Sequence, residues 1–331
     1  MASFRKRGKS WTAEVWRKGV RQSATFRTKL AAQAWAAELE TDIEAGRHRT
    51  IPDRPFRDLL DRYGREVSAH KRGSRAELHR IAAIGRDPLG DVHLPDLRAE
   101  HFTAWRDRRL KVVSGAAVSR DWSIISHALK TARIEWGWID SSPLEGLRRP
   151  RSNPPRKRVA TPAELDRMMI ALGYDDETPP VTVGQRVGAA FLFAVETGMR
   201  EGEIGKLLAD HVDLEAAVAS LPASICKNGD ARQVPLSTRA IAILKHVRTV
   251  TKPDPRWFGM NPASICPLWT RARDRAMVDG LNFHDSRHMA ITQLSQKLDV
   301  LSLARMVGHK DIRQLMTYYN PDAKDLAKRL G

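Results

Sequence analysis

The residue types best suited to chemistry cluster in one short stretch, His284-Asp285-Ser286-Arg287-His288. A helix that begins near residue 284 would place His284, Arg287 and His288 on one face. Two kinds of site fit this face. The two histidines, at positions i and i+4, have the spacing of zinc ligands, whereas His284 and Arg287 could together donate hydrogen bonds to an oxyanion.

The sequence offers little support for the zinc site. A zinc-protease helix carries glutamate directly after its first histidine, but Asp285 stands there, and the permanently charged Arg287 lies between the two ligands. A purely structural role for the histidines, as capping or core groups, is the other alternative. We therefore expect no metal site here, and the oxyanion interpretation is the one that the neighbouring motifs favour.

Three further chemistries lack the motif they require. Gly8-Lys9-Ser10 ends like a phosphate-binding P-loop, but Ser3 occupies the position of its first glycine. The chain has no Gly-x-Gly-x-x-Gly run for a dinucleotide and no closely spaced carboxylates for two magnesium ions. We expect no cofactor, and any phosphodiester chemistry should proceed without metal.

The charge balance predicts a polyanionic partner. The 331 residues include 56 Lys and Arg against 39 Asp and Glu, a formal net charge of +17. Cys226 and Cys266 are too few for a disulfide framework, which fits a reducing cytoplasm. Neither a signal peptide nor a membrane-spanning apolar run is found, so we expect no membrane partner.

The first 50 residues predict a small basic unit. Polar and apolar residues alternate over 2–27 with a turn at Lys18-Gly19, which predicts an antiparallel sheet, and a helix should run from Thr28 to Gly46. Nine Lys and Arg residues and one acid lie between Arg5 and Lys29. Such a sheet suggests a DNA-binding appendage, with Arg5, Lys6 and Arg7 as contacts.

Residues 55–148 predict an all-α domain, with helices near 56–69, 74–84, 98–111 and 116–136. A linker, 149–160, follows. Six basic residues, three prolines and no acid occupy 148–158, which favours an extended segment along a phosphate backbone over a linker that is basic only for solubility. The candidate contacts are Arg148, Arg149, Arg151, Arg156, Lys157 and Arg158.

Residues 161–331 predict a mixed domain of helices and a few short strands. Thr161-Pro162-Ala163-Glu164 should open one helix, a second should end at Thr197-Gly198, and helical spacing resumes over 201–208. Residues 216–236 predict two or three strands around the turn Lys227-Asn228-Gly229-Asp230. The expected fold class is mainly α with small β-sheets (α+β).

Several motifs, in this order, resemble those of the tyrosine recombinases, specifically the phage-type integrases. In that family the nucleophilic tyrosine lies nine residues after the histidine of a Gly-His pair, which selects Tyr318 over Tyr319. The family's hairpin lysine matches Lys227, and Lys206 is set aside because it is predicted to lie on a helix. The matching residues are Arg200, Lys227, His284 with Arg287, Gly308-His309 and Tyr318.

The resemblance extends over most of the chain. Ser114 to Arg149 is similar to the end of a core-binding DNA domain, and residues 2–45 are similar to an arm-binding domain, while 161–331 would be the catalytic domain. Thr317 departs from the arginine that often precedes the nucleophile.

The resemblance implies a site-specific recombinase that integrates and excises a phage or related mobile element through a 3′-phosphotyrosine, without ATP. Its partners would be double-stranded attachment sites, three further copies in a homotetramer on a Holliday junction, a host DNA-bending protein and an excisionase. It would work in the bacterial cytoplasm, at the nucleoid. Residues 323–330 would dock on a neighbouring subunit or, alternatively, on their own subunit.

Each matched residue then has an expected role. Arg200 and Arg287 would neutralise the phosphate oxygens, since guanidinium is planar and permanently charged. His284 would assist the base side, Lys227 would be the general acid, and His309 would donate to a phosphate oxygen. Glu203 would orient the site. Two other functions remain open: a type IB topoisomerase-like nicking and resealing enzyme, and a catalytically silent DNA-binding protein.

Overall fold

The computed structural model describes residues 2–45, 51–151 and 158–319. Two units divide the chain, Met1–Pro155 and Arg156–Gly331. None of the helices in the described ranges is long and apolar enough to cross a membrane.

The first unit begins with a three-stranded antiparallel sheet, β1 (Ala2–Arg7), β2 (Ser10–Arg17) and β3 (Val20–Phe26), in that order. Alternation along β2 buries Ala13 and Val15 against one helix, α1 (Lys29–Glu44). The predicted N-cap, Thr28, accepts a hydrogen bond from the Ala31 N–H. The predicted helix end, Gly46, lies outside the described residues.

Four helices follow, as the apolar periodicity predicts: α2 (Phe56–Glu66), α3 (Ser74–Gly85), α4 (Ala99–Leu110) and α5 (Gly115–Thr131). A π-helical turn, Ala132–Trp136, extends α5. The large side chains Phe56, Tyr63, Phe102 and Trp105 are fully buried and fill the core of this part. No strand runs through the described residues of this helical part.

The second unit surrounds one buried helix. Its helices are α6 (Pro162–Leu172), α7 (Val183–Thr197), α8 (Glu201–Ile204), α9 (Thr238–Thr251), α10 (Pro262–Arg275), α11 (Asp285–Leu294) and α12 (Val300–Val307). The apolar α7 packs against α6, α9, α10 and α11. Phe191 of α7 stacks on Trp269 with ring centroids 4.1 Å apart. The expected fold class, mainly helical with small sheets, is confirmed.

A second small sheet lies beside these helices. It consists of β4 (Val212–Asp213), β5 (Val218–Leu221) and β6 (Arg232–Pro235), all antiparallel. Because Leu221 pairs with Arg232, the connection that holds Asn228-Gly229 spans residues 222–231 and is longer than a two-residue hairpin turn.

The predicted helix over 201–208 is too long. The helix α8 ends at Ile204, because Gly205 follows and the chain then extends so that the Leu207 carbonyl accepts a hydrogen bond from the Trp257 N–H at 2.8 Å. Lys206 therefore lies in a turn, and the prediction that it is helical is wrong.

Two helix ends shape the region where the candidate residues meet. Gly198 ends α7 and Gly308 ends α12, both in the left-handed conformation, with φ of +64° and +68°. A β-carbon on Gly198 would lie 3.0 Å from Val307 Cγ1, so the two helix ends approach closely at this glycine. The residues that follow, Met199-Arg200 and His309, turn towards one region.

Substituting Gly198→Ala should destabilise the second unit more than Gly173→Ala does. Both glycines end helices with a left-handed φ, so each alanine costs about 1–2 kcal/mol in backbone strain. At Gly173 the added β-carbon meets Gln185 at an ordinary 3.8 Å, whereas at Gly198 it meets Val307 at 3.0 Å, which adds at least about 1 kcal/mol. Denaturant unfolding measures both losses. Equal losses would show that the two helix ends do not constrain each other.

Candidate active site

A cavity of about 500 Å³ opens in the second unit where the β5–β6 connection meets the end of α12. Several of the residues predicted to carry chemistry, together with others that were not, form its walls. Among the lining residues are Arg200, Cys226, Asn228, Arg232, Gly308 and His309.

Arg200 is the N-cap residue of α8, in an extended conformation. Its backbone N–H donates to Glu203 Oε2 at 2.9 Å, and its side-chain Nη1 donates to Glu203 Oε1 at 3.1 Å. The side chain is 19% exposed, so part of the guanidinium remains open to the cavity. One carboxylate thus fixes both the backbone and the side chain of this arginine.

Glu203 is held in turn by a second arginine. Its side chain is 2% exposed, and Arg232 donates Nη1 to Oε1 at 2.9 Å and Nη2 to Oε2 at 2.6 Å. Burial opposes ionisation, but the hydrogen bonds from Arg232 hold the pKa of Glu203 below its ordinary value. The carboxylate is therefore charged at neutral pH and lies between two guanidinium groups.

In the sequence, Arg232 lies within the predicted strands of 216–236, and its role in the site was missed. Arg232 also donates Nε to the Met306 carbonyl at 3.0 Å, which connects β6 to the last turn of α12. The sequence held a signal for this role. Arg232 and Val234 are two residues apart on β6 and therefore lie on the same face of the strand, where Val234 is buried. A charged residue at an inward position needs a counter-charge, and Glu203 supplies it.

Arg287 lies on α11 and is almost fully buried. Its Nη1 donates to the Gly198 carbonyl at 2.5 Å and its Nη2 to the Val307 carbonyl at 2.6 Å. These carbonyls belong to the C-terminal ends of α7 and α12, where the helix dipole favours a cation. Burial, followed by the charge of Arg200, lowers the pKa of Arg287 to about 9, so the guanidinium remains protonated at neutral pH.

Two of the predicted histidines are neutral at pH 7. His284, the N-cap residue of α11, is exposed to solvent. Partial desolvation of its imidazole, together with the charge of Arg287, lowers its pKa. His309 lines the cavity, and burial, reinforced by Arg287 and Arg200, lowers its pKa to about 4. Within the described part of the chain, no hydrogen-bond partner is found for the buried Nδ1 of His309.

The two neighbouring tyrosines have different partners. Tyr318, in a 3₁₀ turn at Met316–Tyr318, hydrogen-bonds through its hydroxyl to His288 Nδ1. Tyr319 instead donates its hydroxyl to the Leu298 carbonyl at 2.6 Å. Burial raises the pKa of Tyr318, while the positive charge of Arg287 acts in the opposite direction. Tyr318 is therefore the tyrosine that lies near the buried arginine.

His288 is the second residue whose contact in the site was missed from the sequence, where it was considered as a zinc ligand or as a capping or core histidine. The signal was its place on the same helix face as His284 and Arg287. Among the described residues, no three His, Cys, Asp or Glu side chains are close enough together to hold a metal ion.

Lys227 lies in the β5–β6 connection and is exposed. Its neighbours in sequence, Cys226 and Asn228, both line the cavity. Asn228 donates Nδ2 to the Gly308 carbonyl at 3.3 Å, which fastens this connection to the end of α12. Lys227 is thus placed at the border of the cavity.

The predicted DNA contacts differ in their surroundings. Arg5, Lys6, Arg7, Arg148 and Arg151 are exposed, each on the first unit. Two others have partners within their own unit: Arg149 donates Nε to Ser119 Oγ at 2.7 Å, and Arg158 pairs with Glu164 at 2.7 Å. Arg156 and Lys157 lie outside the described residues.

Replacing Arg232 with methionine should strongly destabilise the second unit. The change leaves Glu203 buried with only Arg200 as its charge partner, and breaking a buried pair in this way costs about 3–5 kcal/mol. The matched control is Lys310→Met, which removes an ion pair with Asp230 whose two side chains are 66% and 62% exposed. That control should change the free energy of unfolding by at most about 1 kcal/mol. Similar losses for the two variants would contradict the central position of Arg232.

Comparison with known proteins finds relatives along most of the chain. A model of the phage integrase family matches residues 158–325. A Haemophilus influenzae protein named as an integrase/recombinase is 40% identical over 328 residues, covering 97% of this chain and 88% of that protein. The shufflon-specific DNA recombinase of Escherichia coli is 31% identical over 281 residues, covering 82% of this chain and 70% of that protein.

Solved structures show the same fold. A lambda integrase dimer bound to a COC′ core site matches with a TM-score of 0.66 at 17% identity, covering 97% of this chain and 95% of that chain. A lambda integrase tetramer bound to a Holliday junction matches with a TM-score of 0.65 at 18% identity, covering 95% and 94% of the two chains.

The resemblance predicted from the order and spacing of five motifs is thereby confirmed. Since the family model covers half of the sequence and a relative with 40% identity covers nearly all of it, the chain belongs to the phage integrase family of tyrosine recombinases.

Proposed function

We propose that this recombinase cleaves and rejoins DNA through a 3′-phosphotyrosine at Tyr318, and so integrates and excises a phage or related mobile element. The observation that carries the proposal is the position of the Tyr318 hydroxyl near Arg287, a cation whose orientation is fixed by two helix ends. A nucleophile beside a fixed cation is the arrangement needed for attack on a phosphodiester.

The two arginines supply the charge that the reaction needs. As Tyr318 attacks, negative charge grows on the non-bridging oxygens, and Arg200 and Arg287 would donate to them. Glu203 positions Arg200 through its backbone and side chain, and Arg232 positions Glu203. Because guanidinium groups provide this charge, we propose that the reaction needs no metal ion.

Three more residues have proposed roles in proton transfer and phosphate binding. His309 donates to a phosphate oxygen, a task for which a neutral imidazole with one N–H suffices. His284 assists the base side of the step. Lys227, exposed at the border of the cavity, protonates the leaving 5′ oxygen as general acid.

The covalent intermediate explains why ATP is not needed. A phosphotyrosine retains the energy of the broken phosphodiester, so a 5′-hydroxyl of another strand can attack it and restore a DNA strand. We propose that four copies act together on two duplexes, because a solved relative in fold is a tetramer on a Holliday junction. A host DNA-bending protein and an excisionase are proposed accessory partners.

The remaining parts of the chain would bind the attachment sites. We propose that residues 1–50 bind arm-type sites, that 55–148 bind the core site, and that the basic linker 149–160 follows the phosphate backbone between them and the catalytic domain, 161–331. The exposed Arg5, Lys6 and Arg7 support the first assignment. Acting on DNA, the enzyme would work in the cytoplasm, at the nucleoid. The proposed docking segment, 323–330, lies outside the described residues.

One relative favours a second candidate function. Because the shufflon-specific DNA recombinase of E. coli matches 82% of this chain, the second candidate function is DNA rearrangement of the shufflon kind instead of integration. Recombination assays on paired sites, in direct and inverted orientation, distinguish the two outcomes. Relaxation of supercoils without any recombinant product would instead favour the topoisomerase-like alternative.

The first experiment tests the nucleophile. Purified protein is mixed in EDTA with DNA that flanks its own gene, and a detergent-resistant protein–DNA adduct is measured. Tyr318→Phe should abolish the adduct. The matched Tyr319→Phe should retain it, because the Tyr319 hydroxyl donates a hydrogen bond to a backbone carbonyl and is not the proposed nucleophile. Loss only in Tyr319→Phe would move the nucleophile by one residue. No adduct with any variant on bound DNA would favour the silent DNA-binding protein.

A second experiment tests Lys227 as the general acid. Lys227→Ala should slow cleavage by about 10²-fold or more, and a substrate with sulfur in place of the bridging 5′ oxygen should recover most of the loss, because a thiolate leaves without a proton. The control is Lys206→Ala, in a turn of the same unit, which should cleave at the wild-type rate. If sulfur does not restore cleavage, Lys227 is not the proton donor.

A further inference from the structure

The hydrogen bond between Tyr318 and His288 gives the nucleophile a partner that no assigned role explains. The Tyr318 hydroxyl meets His288 Nδ1, and the two ring centroids are 6.0 Å apart. His284 was expected on the base side of the reaction, but His288, one turn later on α11, is the histidine whose hydrogen bond to the tyrosine is observed.

Both partners are held from behind. His288 directly follows Arg287, whose guanidinium is fixed to the Gly198 and Val307 carbonyls, so the backbone at this point of α11 cannot shift freely. On the other side, Tyr318 packs against a small apolar cluster formed by α11, α12 and the turn that precedes Tyr318. The members of that cluster include Ile291, Leu303, Val307 and Leu315.

Charged groups of both signs surround His288. His284, Asp285 and Arg287 lie on its own helix or at its start, and the groups that act on the same site from other elements are Arg200 and Glu203 of α8, Arg232 of β6 and His309 after α12. A neutral imidazole with its proton on Nε2 presents a free lone pair at Nδ1, which can accept from the phenol.

From this geometry we propose that His288 is the general base of the reaction, taking the phenolic proton of Tyr318 onto Nδ1 as the hydroxyl attacks phosphorus. The proposal rests on the proposed function. The Oη–P bond forms while the P–O5′ bond breaks, the phenolic proton moves to His288, and Lys227 gives a proton to O5′. In the rejoining step each proton returns along the same route. His284 keeps its proposed role of assisting the removal of the Tyr318 proton.

Asparagine at position 288 separates positioning from proton transfer. In His288→Asn the amide oxygen lies near the former Nδ1 and can accept the hydrogen bond from Tyr318, but it cannot hold a proton at neutral pH. Single-turnover formation of the adduct should therefore slow by about 10²-fold or more. The matched control is His246→Asn, a half-buried histidine of the same unit whose Nε2 lies 2.9 Å from the Thr178 carbonyl, which should form the adduct at the wild-type rate.

Two further measurements distinguish a base from a structural residue. The wild-type rate should fall at low pH, where His288 is protonated, and be level above that range, whereas the rate of His288→Asn should go on rising with pH as the phenol ionises. Placing 3,5-difluorotyrosine, a more acidic phenol, at position 318 should restore much of the rate of His288→Asn. The sulfur-containing substrate that rescues Lys227→Ala should not rescue His288→Asn.

The outcomes separate this inference from the proposed function. No adduct in the wild type would overturn the proposed function, while a wild-type rate and pH profile in His288→Asn would overturn only the role of His288. Slow cleavage that the acidic phenol does not restore would assign His288 to positioning and would also overturn it. Independently of any variant, ¹⁵N NMR of the wild-type protein should show the proton of His288 on Nε2, and a proton on Nδ1 would contradict the proposal.

Discussion

The buried carboxylate of Glu203 is the group on which the arrangement of the site depends. An ionised carboxylate in the interior is costly unless charge and hydrogen bonds compensate it, and here Arg200 and Arg232 do so from opposite directions along the chain. Each partner brings a different element with it: Arg200 begins α8, and Arg232 lies on β6 and reaches the last turn of α12. One charge thus fixes the mutual positions of three elements that all border the cavity.

Arg287 is held by a different principle. Its two Nη groups donate to the carbonyls at the ends of α7 and α12, which carry only partial negative charge. Taken together, Arg200, Arg232 and Arg287 outnumber the one carboxylate, Glu203, that pairs with two of them. The site is left with excess positive charge in a partly desolvated place, which is the condition under which a phosphate would bind strongly.

The sequence predicted some features of the fold because they are local. The capping residues Thr28 and Thr161 act where the pattern placed them, whereas the choice of Tyr318 over Tyr319 from motif spacing stays a prediction. The features that were missed, Arg232 with Glu203 and His288 with Tyr318, join residues 29 and 30 positions apart. Periodicity shows which face of an element a residue occupies, but the partner on the facing element depends on tertiary packing. The helix predicted over 201–208 was too long for a similar reason. A hydrogen bond from the Trp257 N–H to the Leu207 carbonyl, which the local pattern does not show, favours an extended chain at Leu207.

The same cations that would bind a phosphate also determine the protonation of their neighbours. The charges of Arg200 and Arg287 add to burial in lowering the pKa of His309, and Arg287 does so for His284. Neutral imidazoles are able to accept or donate a proton, whereas imidazolium groups could only donate. In the proposed reaction, the negative charge of a bound phosphodiester would offset that of the arginines, and the cost of placing a proton on a nearby histidine would fall. Substrate binding and base strength would therefore be coupled through the same two guanidinium groups, so the histidines would be most basic when the phosphate to be attacked is in place.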